Sequence, residues 1–262
     1  MKLPISKRLL RCGELVPPCG TVADVGTDHG YLAIHLLQSG RCAHVIASDL
    51  REKPLASARA NAAAYGISEA SFKAFPLRGR CPSAHTGADE VACESANASR
   101  GTISFRLSDG LAAFTPGEFD VLVLAGMGGD LITRILEAAP WLEGGAYTLI
   151  LQPQSAANEL RRWLGERRWS IDREVLVRDG GFLYSVLSVR PRDGRPLTPG
   201  EQYISPALRR EGDPLFPDCL ARIRHALELT VSGISKSTDP ADAPRAAYYT
   251  AALEEIHSLE RR

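Results

Sequence analysis

Apolar residues along the chain fall into two alternating periods. Short continuous apolar runs, TVADVG at 21–26, HVIASDL at 44–50, TISFRL at 102–107, DVLVLAG at 120–126 and YTLILQPQ at 147–154, have the length and composition of strands buried on both faces. Between several of them lie stretches with helical spacing: 5–16, 30–38, 52–64, a helix opening at Gly129 or Asp130, and 155–167. Strand and helix in alternation predict a doubly wound, Rossmann-like α/β sheet, mostly parallel. The runs 170–178 and 182–190 are joined by Asp179-Gly180-Gly181, which predicts a hairpin and so an antiparallel strand at the C-terminal end of the sheet.

The sheet domain is expected to span 1–190. PRDGRPLTPG follows as a linker, and residues 200–262 form a small helical appendage, with helical patterns at 216–234 and 243–261. Residues 76–101 break the pattern. They are rich in Ser, Ala, Gly and Pro without periodicity, and are expected to form a long mobile insertion loop in which His85 is solvated.

Composition narrows the classes. Lys plus Arg and Asp plus Glu both number 31, so the net charge is zero and no general affinity for nucleic acid is implied, although a local basic face suffices. Lys7, Arg8 and Arg11 on the first helix, and Arg161, Arg162, Arg167 and Arg168 around Trp163, are such candidates; a solvated face, or Trp163 in the core, is the alternative. The six cysteines form no C-x-x-C pair and have no His at ligand spacing, so no metal site and no disulfide framework is expected. No run is long enough to span a membrane and no signal peptide is evident, so a cytoplasmic protein with free thiols is expected.

The candidate chemistry centres on TVADVGTDHGYL, residues 21–32, a strand, a glycine turn and a helix start. This is the cofactor corner of a doubly wound fold. Asp24, Gly26 and Gly30 fit the usual glycine pattern, but Asp28 stands where the middle glycine would be. A carboxylate there repels a pyrophosphate that would sit on the helix N-terminus, which argues against a dinucleotide. It suits a cofactor with a sulfonium and an amine, namely S-adenosylmethionine (SAM). Asp28 as a helix cap is compatible with this. Asp49, 23 residues past Gly26 and followed by Leu50, is placed to accept from ribose hydroxyls or to cap the next helix. Asp109-Gly110 at the end of the 102–107 strand offers an acceptor for an adenine amino group, or simply a turn. Gly126, Gly128 and Gly129 around Met127 let the backbone approach a cofactor or a base. Gln152 offers an amide that reads a base edge or caps the following helix.

With these residues together the chain resembles the bacterial tRNA (adenine-22) N1-methyltransferase family. The resemblance rests on ISKRL, ADVGTDHGYL with its Asp28, AGMGG at the 120–126 strand, LILQPQ, DGGFLYSVL and the helical tail. It covers nearly the whole chain, and the 76–101 loop is its departure. It implies SAM at Gly26, Asp28, Asp49, Asp109 and Gly126, and Asp24, Leu50 and Gly110 beside them are further cofactor-binding candidates. It implies a target adenine near Asp28, His29, Tyr31 and Met127; Gly128 and Gln152 are further substrate candidates, Asp28 and His29 the catalytic candidates, tRNA the expected partner, contacted by the helical tail, and no metal or membrane is expected. A monomer is the favoured state. The alternatives are a methyltransferase of the same fold acting on a small molecule, and a non-catalytic SAM- and RNA-binding module. An NAD oxidoreductase is disfavoured by Asp28 and the terminal hairpin.

Overall fold

The computed structural model describes residues 2–70, 101–236 and 239–260. The expected insertion loop, apart from Gly101, lies outside the described residues, as do His85, Cys81 and Cys93. Eight strands form one mixed sheet, and the chain divides into two compact units whose boundary falls within the fifth strand.

The first unit comprises residues up to Ile5 and Val16–Leu122. Its strands are β1 (Cys19–Val25), β2 (Cys42–Asp49), β3 (Ser68–Glu69) and β4 (Thr102–Leu107), with helices α2 (Tyr31–Gln38) and α3 (Glu52–Ala64) between them; α1 (Lys7–Leu15) belongs to the second unit. β2 pairs in parallel with β1, Val25 opposite Ser48, and with β4, Asp49 opposite Leu107. Val22, Ala23, Val45, Ala47 and Ile103 are fully buried, as are Ala33, Ile34 and Leu36 of α2. Parallel strands covered on both faces account for the unbroken apolar runs, and each large side chain so buried stabilises the fold by roughly 1.5–3 kcal/mol. The two-residue strand β3 has no counterpart in the hydrophobic pattern, since both its residues are exposed.

The second unit comprises Ser6–Leu15 and Val123–Arg262. After β5 (Val121–Met127) come α4 (Gly129–Glu137), β6 (Thr148–Pro153) and α5 (Ala157–Glu166), then the hairpin strands β7 (Trp169–Asp179) and β8 (Phe182–Asp193). β8 lies between β6 and β7 and runs antiparallel to both. The order β3-β4-β2-β1-β5-β6-β8-β7 is that of a mostly parallel Rossmann-like sheet closed by an antiparallel hairpin, as the pattern predicts.

Half of the stretch read as a linker is regular structure. β8 continues to Asp193, and α6 (Pro199–Tyr203) opens with a capping box between Thr198 and Glu201. That TPGE signature, with Pro at the first helical position, is a sequence signal for a helix start. A second short helix, α7 (Pro206–Glu211), is capped by Ser205. The long helices α8 (Phe216–Ile234) and α9 (Ala243–Glu260) follow. Their buried side chains Leu220, Leu227, Ala252 and Ile256 share one core cluster with Leu176 of β7 and with Ile204 and Leu208. The helical tail is therefore packed into the same unit as the hairpin.

The arginines considered for nucleic acid are mostly engaged elsewhere. Arg161 is buried against Glu174, Arg162 pairs with Glu166, and Arg167 pairs with Glu143. Trp163 donates its indole N–H to Glu137, and Leu164 is in the core. On α1, Arg8 pairs with Asp179, and Arg11 with Glu14 and Asp213. An amphipathic arginine pattern does not distinguish a free basic face from one covered by acidic neighbours distant in sequence.

Candidate active site

The turn after β1 is built from three left-handed residues, Gly26, Asp28 and Gly30, with φ of 79°, 51° and 72°. Aspartate is one of the few side chains that enters this region readily. The N–H groups of Gly26 and Thr27 both donate to the Ser48 carbonyl, at 2.8 and 2.9 Å, which ties the turn to the end of β2. The Thr27 hydroxyl donates to Asp24 Oδ2 at 2.7 Å, and the Gly30 N–H closes the turn on the Thr27 carbonyl. Asn61 of α3 donates to the His29 carbonyl at 2.9 Å. Gly30 is required for space as well as for φ: a Cβ there would lie 2.9 Å from the Ala58 Cβ.

Asp28 does not cap the helix. Gly30 occupies the N-cap position of α2 and no side-chain cap bond is made. The Asp28 side chain is 71% exposed, and its carboxylate lies 3.7 Å from His29 Nε2. The His29 ring in turn sits 5.8 Å from that of Tyr31. The turn thus presents a carboxylate, an imidazole and a phenol together.

Asp24, in contrast, is buried, and burial pushes its carboxyl up to about 6; the Thr27 hydrogen bond opposes this and the charge of Asp49 adds to it. Among the described residues Asp49 accepts from the Arg51 N–H through Oδ1, with no bond to Oδ2. Asp109 is exposed beyond β4, where the Ser108 hydroxyl bridges the Gly110 carbonyl and the Ala113 N–H. Neither Asp24, Asp49 nor Asp109 has an ion-pair partner among the described residues. Leu50 and Leu107 flank Asp49, one next in sequence and one opposite in register, and both are more than half exposed. Unneutralised carboxylates beside exposed leucines fit a ligand that is cationic at one end and carries a nucleoside at the other. They do not fit a pyrophosphate.

In the second unit the Gly126–Gly129 turn is braced from β6. Gly126 has φ 76° and donates its N–H to Gln152 Oε1 at 3.0 Å, while Gln152 Nε2 donates to the Pro153 carbonyl. Gln152 is fully buried, and both ends of its amide are engaged in this way. The neighbouring Gln154 is the outward residue. Its N–H donates to the Met127 carbonyl at 2.7 Å, and its side-chain amide lies across the open face of Gly126. Gln154 did not stand out among the sequence candidates. Strand alternation would put Gln152 and Gln154 on the same face, and they part because β6 ends at Pro153, before Gln154. Gly129 opens α4 against the next loop, and a Cβ there would meet the Ala156 carbonyl at 2.5 Å. No group of three or more His, Cys, Asp or Glu that could hold a metal occurs among the described residues, nor any helix long and apolar enough to cross a membrane.

Known proteins share the family and the fold. The family model described as tRNA (adenine(22)-N(1))-methyltransferase matches residues 87–256, and a methyltransferase-domain model matches residues 5–73. The tRNA (adenine(22)-N(1))-methyltransferase of Bacillus subtilis is 30% identical over 221 residues, 82% of this chain and 79% of that protein. The crystal structure of the B. subtilis m1A22 tRNA methyltransferase superposes with a TM-score of 0.75 at 25% identity, covering 98% of this chain and 99% of the other. Streptococcus pneumoniae Sp1610, solved in complex with SAM, gives 0.70 at 27% identity over 97% and 98%. The turn with Asp28 for its middle glycine, the glycine turn after β5 and the closing hairpin are therefore found in a chain that belongs to the tRNA (adenine(22)-N(1))-methyltransferase family.

Proposed function

We propose that this protein transfers the methyl group of SAM to N1 of adenine 22 in tRNA. The observation that carries the reading is the turn after β1, with Asp28 exposed beside His29 and Asp24 without an ion-pair partner among the described residues, in a chain of this family. SAM, when bound, supplies an electrophilic methyl on a sulfonium. Asp24 and Asp49 are assigned to holding it, with Gly26, Leu50, Asp109 and Gly110. Asp49 keeps Oδ2 for a ribose hydroxyl, since the Arg51 N–H engages Oδ1.

The acceptor needs no general base. Adenine N1 carries its lone pair at neutral pH, and its attack leaves the base cationic. Asp28, exposed at the turn, is assigned as the counter-charge that stabilises the developing cation, with His29 orienting it. Tyr31, Met127 and Gly128 are assigned to the target base, which must leave its stack to react. Gln152 is assigned to bracing the Gly126 turn, in place of reading a base edge. The helices beyond residue 200 are assigned to tRNA contact, and the protein is placed in the cytoplasm as a monomer.

Incubation with tRNA and methyl-labelled SAM, followed by nucleoside analysis, tests this. Labelled 1-methyladenosine is expected, and Asp28→Asn should lower kcat by about 10²-fold, the scale for losing one preorganised charge-stabilising group. No label in RNA, or label in another nucleoside, overturns the assignment.

A further inference from the structure

The second unit contains a cavity of about 340 Å3 that the proposed chemistry does not use. Gln154 belongs both to its lining and to the bracing of the Gly126–Met127 turn. Leu183 and Tyr184 of β8 and Arg222 and Ile223 of α8 also line it. The volume is at the lower end of small-ligand pockets and admits one nucleotide.

Its chemistry is that of a site for an unstacked nucleotide. Tyr184 offers an aromatic wall, and its ring already has the Arg8 guanidinium over it at 5.0 Å, which restricts its motion. The Gln154 amide makes no hydrogen bond among the described residues, and Asn158 uses only its NH2, on Glu159. Two guanidiniums reach the lining. Arg161 is neutralised by a bidentate pair with the buried Glu174, whereas Arg222 has no ion-pair partner among the described residues. The cavity therefore presents one net positive charge, two amides and apolar walls. Cys219 also lines it, but burial pushes its thiol up to about 11, so it supplies no nucleophile.

A base that becomes cationic on methylation is unsuited to a pocket whose net charge is positive. A neighbouring nucleotide, carrying its phosphate and not reacting, suits it. We propose that this cavity receives one unpaired tRNA nucleotide adjacent to the target adenine, its base against Tyr184, its edge on the Gln154 and Asn158 amides and its phosphate at Arg222. The proposal rests on the reading of the protein as a tRNA methyltransferase.

The test uses the full chain, as wild type and as Tyr184→Leu, Gln154→Ala, Arg222→Gln and Arg222→Lys. Tyr184→Leu should raise KM for tRNA about tenfold, the effect of losing one base–aromatic stack, while SAM affinity measured without tRNA stays at the wild-type value. Arg222→Gln, on an exposed helix face where folding is not at stake, should weaken tRNA binding and reduce its logarithmic salt slope by about one; Arg222→Lys should restore the slope. An abasic residue beside the target should cost the wild type about tenfold at one of the two neighbouring positions and cost Tyr184→Leu nothing further. Unchanged KM in both Tyr184→Leu and Arg222→Gln, or equal abasic losses in wild type and Tyr184→Leu, overturns the proposal. Should wild type retain tRNA but transfer no methyl, the activity fails while the cavity is still decided, because the same contrasts are read in tRNA binding alone.

Discussion

Each unit buries a carboxylate, and the two are treated in opposite ways. Glu174, fully buried on β7, is enclosed: Arg161 grips both its oxygens and the Ser205 hydroxyl donates to it at 2.6 Å. Arg161 also donates to the Gln202 carbonyl and to Ser185, so α5, both hairpin strands and the segment around α6 meet at one ion pair. Asp24, also buried near the end of β1, receives one hydroxyl and faces the charge of Asp49, and neither has an ion-pair partner among the described residues. A buried charge is tolerated when its partners are built in, and is otherwise held uncharged or awaits a ligand. By this contrast Glu174 is architecture, whereas Asp24 has no built-in charge partner among the described residues and fits the cofactor role proposed for it.

The largest test breaks the architectural member. Arg161→Met strands Glu174 as an uncompensated buried charge and should cost roughly 3–5 kcal/mol in urea unfolding, and replacing Glu174 by Leu in the same chain should return much of it. A loss below about 1 kcal/mol for the single variant would mean that the pair is no more than an exposed one in effect.

The second test concerns Asp24 and has a sign. Because the native carboxyl of Asp24 sits at about 6, above its ordinary value of 3.8, the folded chain binds the extra proton between those values. Its contribution to stability is therefore greatest at low pH and falls by about 3 kcal/mol as pH rises through that window. Asp24→Asn, which still accepts from Thr27, should remove this slope and stabilise the ligand-free protein at pH 7. It should also weaken SAM binding, which in the wild type falls off below about pH 6. Stability curves from pH 4 to 8 and calorimetric SAM titrations over the same range check both statements. A variant that loses stability at pH 7 breaks the contrast.

The smallest effect separates brace from reader in the second unit. Gln152→Ala leaves the Gly126 N–H and the Pro153 carbonyl without their partner and should cost about 1–3 kcal/mol of unfolding free energy. Were Gln152 reading a base, stability would hold and KM for tRNA would rise.

The sheet was legible in the chain because strands buried on both faces read as continuous apolar runs, and α3 appeared with its observed bounds, Glu52–Ala64. The first turn was legible because left-handed backbone restricts residue type: Gly, Asp and Gly stand where φ is positive. What escaped was set by partners distant in sequence. Arg161 looked like a basic surface residue until Glu174 and Gln202 met it, and Gln152 and Gln154 differ only in which way the end of β6 turns them. The helix α6 escaped for another reason, since its capping box lay inside a segment whose Pro and Gly content reads as linker.

The allegiance of α1 has a consequence for synthesis. This helix belongs to the second unit, and its Arg8 grips Asp179, 171 residues later in the chain. At 5–20 residues per second the ribosome takes on the order of ten to thirty seconds to make that stretch. During that interval a nine-residue helix, too short to persist alone in water, waits without its partner strands while the first unit is completed after it. α1 is thus made well before the strands it packs on and docks only after them.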